Sequence, residues 1–553
     1  MLAEVARQKN MARAAEAESG GVQNISIPKT TPFYLLALAV FLALVSFALD
    51  GGRGFNPADE GFIWHAAWRT RHEDVPLLDF LSYDPGRHYW QAMWMWLLGD
   101  GIFALRLGDS VFQAFGLACG FFALTRLTQN WLLLFVSGSL LMLGMTPSYK
   151  LFEPALAMIM VLVGVRLIER PDRWRYFQAG LLAGLAGFIG RNLGIYAVVA
   201  IGIITVMIRM RAQGQWRKEL AAFCGGLLLG YSPVLLMMLM IPGFAAVLLD
   251  SVVRIIEVGA GNNLGLPVPW PWSIDFGPLD WFRSVSALGR GMAYIGIMLF
   301  LPTAAVILWR RRGLIQDRHA LLAASWAVCL VFSHHAFGRA GPSHLAQSFH
   351  PFLIGILAVG PVLTGSVQRR VYYGFAGALA VIAVIGVIVI RPFISQWLSP
   401  SNTWSTIQLG NYPITMPARK TKDVLAFQRI HEQCIGKGNT FFVAPNWPAA
   451  YPLLGTKSPT WDTYFMFRET ERRQVRLIEQ LKEAGVRWVL LSDTALDGRD
   501  ERRFQNTYPL VYRWIERNFS EVRTPEAPEG YKVMYKSDYY KNAKPTCNGW
   551  VLQ

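Results

Sequence analysis

The run Leu181-Leu182-Ala183-Gly184-Leu185-Ala186-Gly187-Phe188-Ile189-Gly190-Arg191-Asn192-Leu193-Gly194-Ile195-Tyr196-Ala197-Val198-Val199-Ala200 decides how this chain is arranged. It belongs to an apolar stretch from about residue 176 to 208, interrupted only by Arg191-Asn192. Read as one long helix, it crosses a membrane once. Read as two spans meeting at Arg191-Asn192, it crosses twice, and every later segment changes side. Crossing about 30 Å of hydrocarbon takes roughly 20 apolar residues. On the two-span reading there are eleven such runs, at about 33–49, 102–124, 131–147, 151–168, 176–190, 193–208, 220–241, 289–309, 319–337, 351–367 and 371–390.

Charge separates the two readings. The chain has 553 residues, 53% hydrophobic and 16% charged, with a net charge of +16. Soluble domains carry about 25% charged residues, so this composition excludes a disordered chain and argues against a wholly soluble one. A net charge of this size fits nucleic acid, anionic lipid or cytoplasmic loops, and its placement decides which. With eleven spans and the N-terminus inside, the cytoplasmic segments of residues 1–390 hold 19 Lys/Arg against 7 Asp/Glu. The opposite side holds 11 Lys/Arg against 14 Asp/Glu. This is the positive-inside pattern. Merging the fifth and sixth runs would move both basic clusters, at 209–218 and 310–312, to the exterior, opposite the bases at 166–175. The excess charge is therefore an orientation signal, and no nucleic-acid partner is expected. The first run has no small-x-small cleavage site before Asp50, which favours an uncleaved anchor.

After Arg391 the composition changes. Residues 391–553 contain 23 Lys/Arg and 16 Asp/Glu and no spanning run. Thr440–Ala444 and Arg487–Leu491 read as strands, and Glu469–Ala484 as a helix ending at Gly485. The expected architecture is a polytopic α-helical membrane protein of about eleven spans over residues 1–390, followed by an exterior α/β domain at 391–553. The expected location is the cytoplasmic (inner) membrane, with that domain outside. Cys119, Cys224 and Cys329 fall in spans. Cys434 and Cys547 lie near opposite ends of the exterior domain, where an oxidising compartment predicts a disulfide between them.

The first exterior loop holds the candidate chemistry: Asn56-Pro57-Ala58-Asp59-Glu60-Gly61-Phe62-Ile63-Trp64-His65-Ala66-Ala67-Trp68-Arg69. Asn56 as N-cap and Pro57 at the first helical position predict a helix start, with acids in the first turn. Trp64 and Trp68, four apart, share a face suited to lipid headgroups, which predicts a helix along the membrane surface with Asp59 and Glu60 at the boundary. The two acids can simply complement the helix dipole. The loop continues with Tyr83-Asp84-Pro85-Gly86-Arg87-His88-Tyr89-Trp90, then Leu97-Leu98-Gly99-Asp100 and Leu105-Arg106-Leu107.

An Asp-Glu-Gly after the first span, a Tyr-x-Pro-Gly-x-x-Tyr element and a Leu-Gly-Asp entry to the second span resemble the GT-C-type membrane glycosyltransferases. The protein O-mannosyltransferase and lipid A aminoarabinose transferase type is the nearest subgroup. The resemblance covers about residues 33–195. It implies a sugar donor carried on polyprenyl phosphate at the outer membrane face, and an acidic motif at Asp59 and Glu60 with the Asp as base. A second element of the family, a basic residue followed three later by Asp, lands on Lys150 and Glu153, with Glu in place of Asp. The alternative is that Lys150 and Glu153 only pair with each other.

A polyprenyl phosphate is a good leaving group, so the demand is for a base at the acceptor hydroxyl and for cations at the phosphate. Besides Asp59, the candidates for donor phosphate or sugar contact are Arg191, Arg339, His344, Tyr83 and His88. Arg191 also fits simple snorkelling at a helix end. Arg339 lies in a loop with His334, His335 and His344, which leaves metal, phosphate and purely structural roles open. Adjacent His334 and His335 aim poorly at one ion, and no C-x-x-C spacing occurs, so no metal site or other cofactor is expected. The loop at 242–288 offers an apolar run over 244–256 and a Pro/Trp-rich segment that could cover a site or anchor it. The expected partners are the bilayer, a polyprenyl-phosphate-linked sugar and a glycolipid, polysaccharide or protein acceptor. A transporter or flippase of lipid-linked sugars is the rival reading. It would show internal repeats and midplane sites, and neither is visible in the sequence.

Overall fold

The computed structural model describes residues 31–146, 148–210, 215–257, 265–277, 281–311, 319–363, 365–400, 403–436, 438–522 and 527–536. Each of the eleven apolar runs contains a helix, though that at 351–367 is helical only over 350–358 and 360–362 before the next helix starts at Ser366. The first is α1 (Thr31–Asp50), after which two helices of the exterior loop follow, α2 (Asp59–Arg71) and α3 (Pro85–Leu98). The next helices are α4 (Ile102–Leu124), α5 (Trp131–Gly144), α6 (Phe152–Glu169), α7 (Arg173–Ile189), α8 (Arg191–Arg209) and α9 (Trp216–Met240). Then come α10 (Phe244–Glu257), α11 (Trp281–Arg310), α12 (Ala320–Gly338), α13 (Pro342–Ser348), α14 (His350–Ala358), α15 (Ser366–Val387) and the short α16 (Pro392–Trp397). Among the described residues, seven helices are long and apolar enough to cross a membrane, or eight if the pair at 342–348 and 350–362, bent by 52°, is one span. The count is below eleven because α5 and α7 are short, at 14 and 17 residues, and α6 carries Glu153, Arg166 and Glu169. The chain is a multi-pass helical membrane protein.

The decisive run is two helices. Gly190 between α7 and α8 is extended, at φ −168° and ψ 119°. A Cβ on Gly194 would lie 2.6 Å from the Gly187 Cα and 3.3 Å from the Ala183 carbonyl oxygen. On one continuous helix Ala183 and Gly194 would stand about 16 Å apart along the axis, so the chain folds back at Gly190. Helix α7 also packs backbone to backbone on α9. A Cβ on Gly180 would meet the Phe223 carbonyl oxygen at 2.0 Å, and one on Gly226 the Phe177 oxygen at 2.1 Å. Small residues four apart allow this approach in a membrane, where apolar burial does not drive association.

The C-terminal domain, the one expected to be exterior, begins with the hairpin β1 (Trp404–Leu409) and β2 (Tyr412–Pro417), then α17 (Ala418–Ile430), β3 (Phe441–Ala444), α18 (Ala450–Leu453), α19 (Glu471–Glu483) and β4 (Trp488–Ser492). It ends with α20 (Phe504–Thr507), α21 (Pro509–Asn518), β5 (Phe519–Val522) and β6 (Tyr531–Lys536). The sheet order is β3-β4-β6-β5, with β3 and β4 parallel and the other pairs antiparallel. The expected strands and helix lie within a residue or two of their predicted bounds. Helix α19 is followed by Gly485 at φ +61°, the left-handed residue that ends such helices.

The two parts share a core. Residues Glu60–Thr70 of α2 are all buried, and Phe62, Ile63, Trp64 and Trp68 join one cluster with Phe441, Tyr451 and Trp488 of the exterior domain. Trp64 and Trp68 are 3% and 7% exposed. They do not lie in the headgroup region as expected, because the exterior domain covers that face. At the junction, buried Arg391 donates to Asp50 Oδ2 at 2.8 Å and Ser46 Oγ at 2.7 Å. Cys119, Cys224 and Cys329 are the free cysteines among the described residues, and Cys434 is not one of them. Its expected partner Cys547 lies outside the described residues.

Candidate active site

Helix α2 starts at Asp59, with Ala58 rather than the expected Asn56 at its N-cap and no side-chain cap, and Pro57 lies in the turn before it. That turn is closed by Asn56. Its Oδ1 accepts from the Ala58 and Asp59 amides at 3.0 and 3.1 Å, and its Nδ2 donates to Asp59 Oδ2 at 3.1 Å. The other oxygen, Asp59 Oδ1, accepts a short hydrogen bond from the Tyr464 hydroxyl of the exterior domain. Asp59 is partly exposed and makes no ion pair among the described residues. Glu60 is its opposite in every respect. It is 1% exposed, and Arg106 holds both of its oxygens, Nε to Oε1 at 2.7 Å and Nη2 to Oε2 at 2.8 Å. The remaining Arg106 donors are taken by the carbonyls of Gly51, Arg53 and Gly54. Adjacent acids thus have different work. Glu60 ties α2 to α4 and to the end of α1, and Asp59 faces outward.

Tyr149, in the loop between α5 and α6, interacts with Asp59 and with Ser343 at the start of α13. Burial, and then the Asp59 charge, push the Tyr149 phenol up, and the same two causes push Tyr464 well up. Both tyrosines therefore stay protonated and serve as donors. Tyr83 is exposed and meets Phe62 edge-on at 5.5 Å, with Phe62 in turn 5.5 Å from the Tyr464 ring. Four separate segments thus converge on Asp59: the first exterior loop, the 148–151 loop, the start of α13 and the exterior domain.

Lys150 follows Tyr149 with φ at +61°, a conformation that non-glycine residues rarely adopt. The alternative reading of Lys150 and Glu153, that they pair with each other, is not what forms. Arg87 of α3 takes Glu153 instead, Nη2 to Oε1 at 3.0 Å, with both side chains buried. Lys150 makes no ion pair or hydrogen bond through its ammonium group among the described residues. It lies within electrostatic reach of His335 and His344, whose rings are 5.3 Å apart.

The other candidates are placed less openly. Arg191 is held by Asp84, N to Oδ2 at 2.7 Å and Nε to Oδ1 at 2.8 Å, and donates to Ser251 Oγ at 2.7 Å. Arg339 pairs with Asp497 of the exterior domain at 3.2 Å. His88 is fully buried in α3, so it does not line the open side of Asp59; burial, then Arg87, holds its imidazole neutral. Among the described residues no group of three or more His, Cys, Asp or Glu is arranged to hold a metal ion. Sequence reasoning missed Tyr464, Arg106 and Arg87 as partners of the acidic residues. Tyr149 immediately precedes Lys150 of the second element but carried no signal of its own.

No family model and no curated relative matches the chain. Among solved structures it is similar to apo ArnT of Cupriavidus metallidurans, with 13% identity and a TM-score of 0.42 over 91% of this chain and 97% of that one. It is also similar to the oligosaccharyltransferase AglB of Archaeoglobus fulgidus in complex with an inhibitory peptide and a dolichol-phosphate. That match has 10% identity and a TM-score of 0.49, over 95% of this chain and 76% of that one. Both are GT-C-type enzymes. At these scores and identities the likeness assigns neither a residue's role nor a substrate to this chain.

Proposed function

We propose that the protein is a GT-C-type membrane glycosyltransferase that moves one sugar from a polyprenyl-phosphate carrier to an acceptor hydroxyl at the exterior membrane face. The acceptor is a glycolipid, a polysaccharide or a protein. The observation that carries this reading is the contrast at the site: Asp59 is oriented, partly open and without a counter-ion among the described residues, and Lys150, next in the chain to the Tyr149 that meets Asp59, is unpaired among them, while Glu60 and Glu153 are neutralised by Arg106 and Arg87. A carboxylate kept free of ion pairs can accept a proton, and an unpaired lysine can face a phosphate.

In this reading the acceptor oxygen attacks the anomeric carbon while its proton passes to Asp59. The bond from that carbon to the phosphate oxygen breaks, and its electron pair leaves on the polyprenyl phosphate. Lys150 faces the charge that develops there. In-line attack inverts the anomeric centre. Tyr83, on the exposed rim, is placed for sugar contact. Arg191 and Arg339, already engaged, act by holding the loops around the site.

Purified protein incubated with radiolabelled polyprenyl-phosphate sugars and envelope lipid tests the proposal. Labelled acceptor product is the expected result. Movement of the carrier across a vesicle without product would replace the transferase with a flippase.

A further inference from the structure

The link between Asp59 and the exterior domain continues beyond Tyr464. The Tyr464 amide donates to Asp462 Oδ1 at 2.9 Å, and Asp462 Oδ2 accepts from Arg254 of α10 at 3.3 Å and from the Tyr508 hydroxyl at 3.0 Å. Arg254 also donates to Glu469 at 2.7 Å and lies over the Trp461 ring at 5.6 Å. A second pair joins the same elements, Arg473 to Asp250 at 2.9 Å. Asp250 and Arg254 are four apart on α10, so they share one face. Leu249, Val252, Val253 and Ile256 are exposed on that helix, at the i, i+3, i+4, i+7 spacing of an apolar face. Helix α10 leaves the end of α9 by a three-residue turn with Gly243 at φ +82°. It therefore sits at the membrane boundary, with its charged residues gripping the exterior domain.

We infer that Tyr464 is a positioning residue for Asp59, set in place by the Arg254–Asp462 ion pair, so that the exterior domain and the membrane-boundary helix α10 take part in sugar transfer. This rests on the reading of Asp59 as the base. A carboxylate on a single turn of helix rotates unless both oxygens are held. Asn56 holds Oδ2 and Tyr464 holds Oδ1, and Tyr149 also donates to the carboxylate, so the lone pair left for the acceptor hydroxyl stands at a fixed angle. Tyr464 is fixed through its own backbone by Asp462, and Asp462 is fixed by Arg254. Asp462 and Glu469 are both 7% exposed, so without Arg254 the buried Asp462 would lack its counter-ion and Glu469 would keep only the looser Arg473 contact at 3.8 Å. The exterior domain thus does more than cover the site.

The test uses the full chain in lipid nanodiscs with a polyprenyl-phosphate sugar as donor. Tyr464→Phe, Asp462→Asn, the double variant and Asp59→Asn are compared by kcat, donor KM and thermal midpoint. Tyr464→Phe is expected to lower kcat about tenfold, from lost orientation, with donor KM and midpoint unchanged. Asp462→Asn is expected to lower kcat as well, and to add no further loss in the Tyr464→Phe background. If Asp462→Asn fails to fold, Arg254→Lys takes its place with the same expectations. Wild-type kcat in Tyr464→Phe, or a loss confined to donor KM, would overturn the positioning role. Losses that multiply in the double variant would overturn the link through Asp462. Should Tyr464→Phe be normal while Asp59→Asn is inactive, this inference fails and Asp59 stands as base. Should Asp59→Asn transfer at the wild-type rate, both fail.

Discussion

The Arg106 guanidinium closes on both carboxylate oxygens of Glu60, at 2.7 and 2.8 Å, with the two side chains only 3% and 2% exposed. The residue next to it, Asp59, has no cation at all among the described residues. Removing the charge of Glu60 leaves a buried guanidinium uncompensated, which costs about 3–5 kcal/mol in such pairs. Glu60→Gln is therefore expected to lower the thermal midpoint in detergent markedly. A midpoint equal to wild type, with transfer abolished, would instead make Glu60 a reacting group.

Lys150 is expected to act on the donor. Lys150→Gln keeps the length and polarity of the side chain and removes the charge. Lost contact of an ammonium with a phosphate predicts a rise in donor KM of about tenfold or more. Its folding stability should change by no more than about 0.5 kcal/mol, since no described partner is left behind. Titration of donor against transfer rate reads this directly, and an unchanged KM would remove Lys150 from the phosphate site.

The packing of α7 on α9 gives a stability test independent of function. Gly226→Val puts side-chain carbon where the Phe177 carbonyl oxygen lies 2.1 Å away, so the helices must separate, at about 1–3 kcal/mol or more for an overpacked contact. At its neighbour Gly225, a Cβ would meet no described atom within 4 Å, and Gly225→Ala should be neutral. Thermal midpoints of the two variants compare them. Equal midpoints would contradict the close approach.

Cys434 and Cys547 are predicted to be bridged when the exterior domain faces an oxidising compartment. Alkylation of the denatured protein without reductant should modify Cys119, Cys224 and Cys329 and spare these two. A mass shift on both peptides would refute the bridge.

The helices were legible because a membrane demands long apolar runs, and the break at Arg191 was legible because misplacing it scrambles the basic clusters. Asp59 was legible from the acidic first turn of its helix, although the N-cap is Ala58 and not Asn56. Three things were not. Trp64 and Trp68 form the same four-apart pair whether lipid or protein covers them, and here the exterior domain does. Lys150 and Glu153 are correctly spaced to pair, yet Arg87, distant in sequence, wins Glu153. Tyr464 stands 405 residues from Asp59, in a segment with no periodicity or charge pattern that points to a site. Local spacing reports what can meet within one element, and these contacts are made between elements.

Asp59→Asn bears most directly on the central claim. The substitution preserves shape and removes the base; its amide oxygen can accept from Asn56 while its NH2 donates to the Tyr464 hydroxyl, so folding and donor binding should match wild type. Transfer measured with a polyprenyl-phosphate sugar should fall by about 10²-fold or more, the contribution of a positioned general base. Transfer at a near wild-type rate with the same donor would contradict the account.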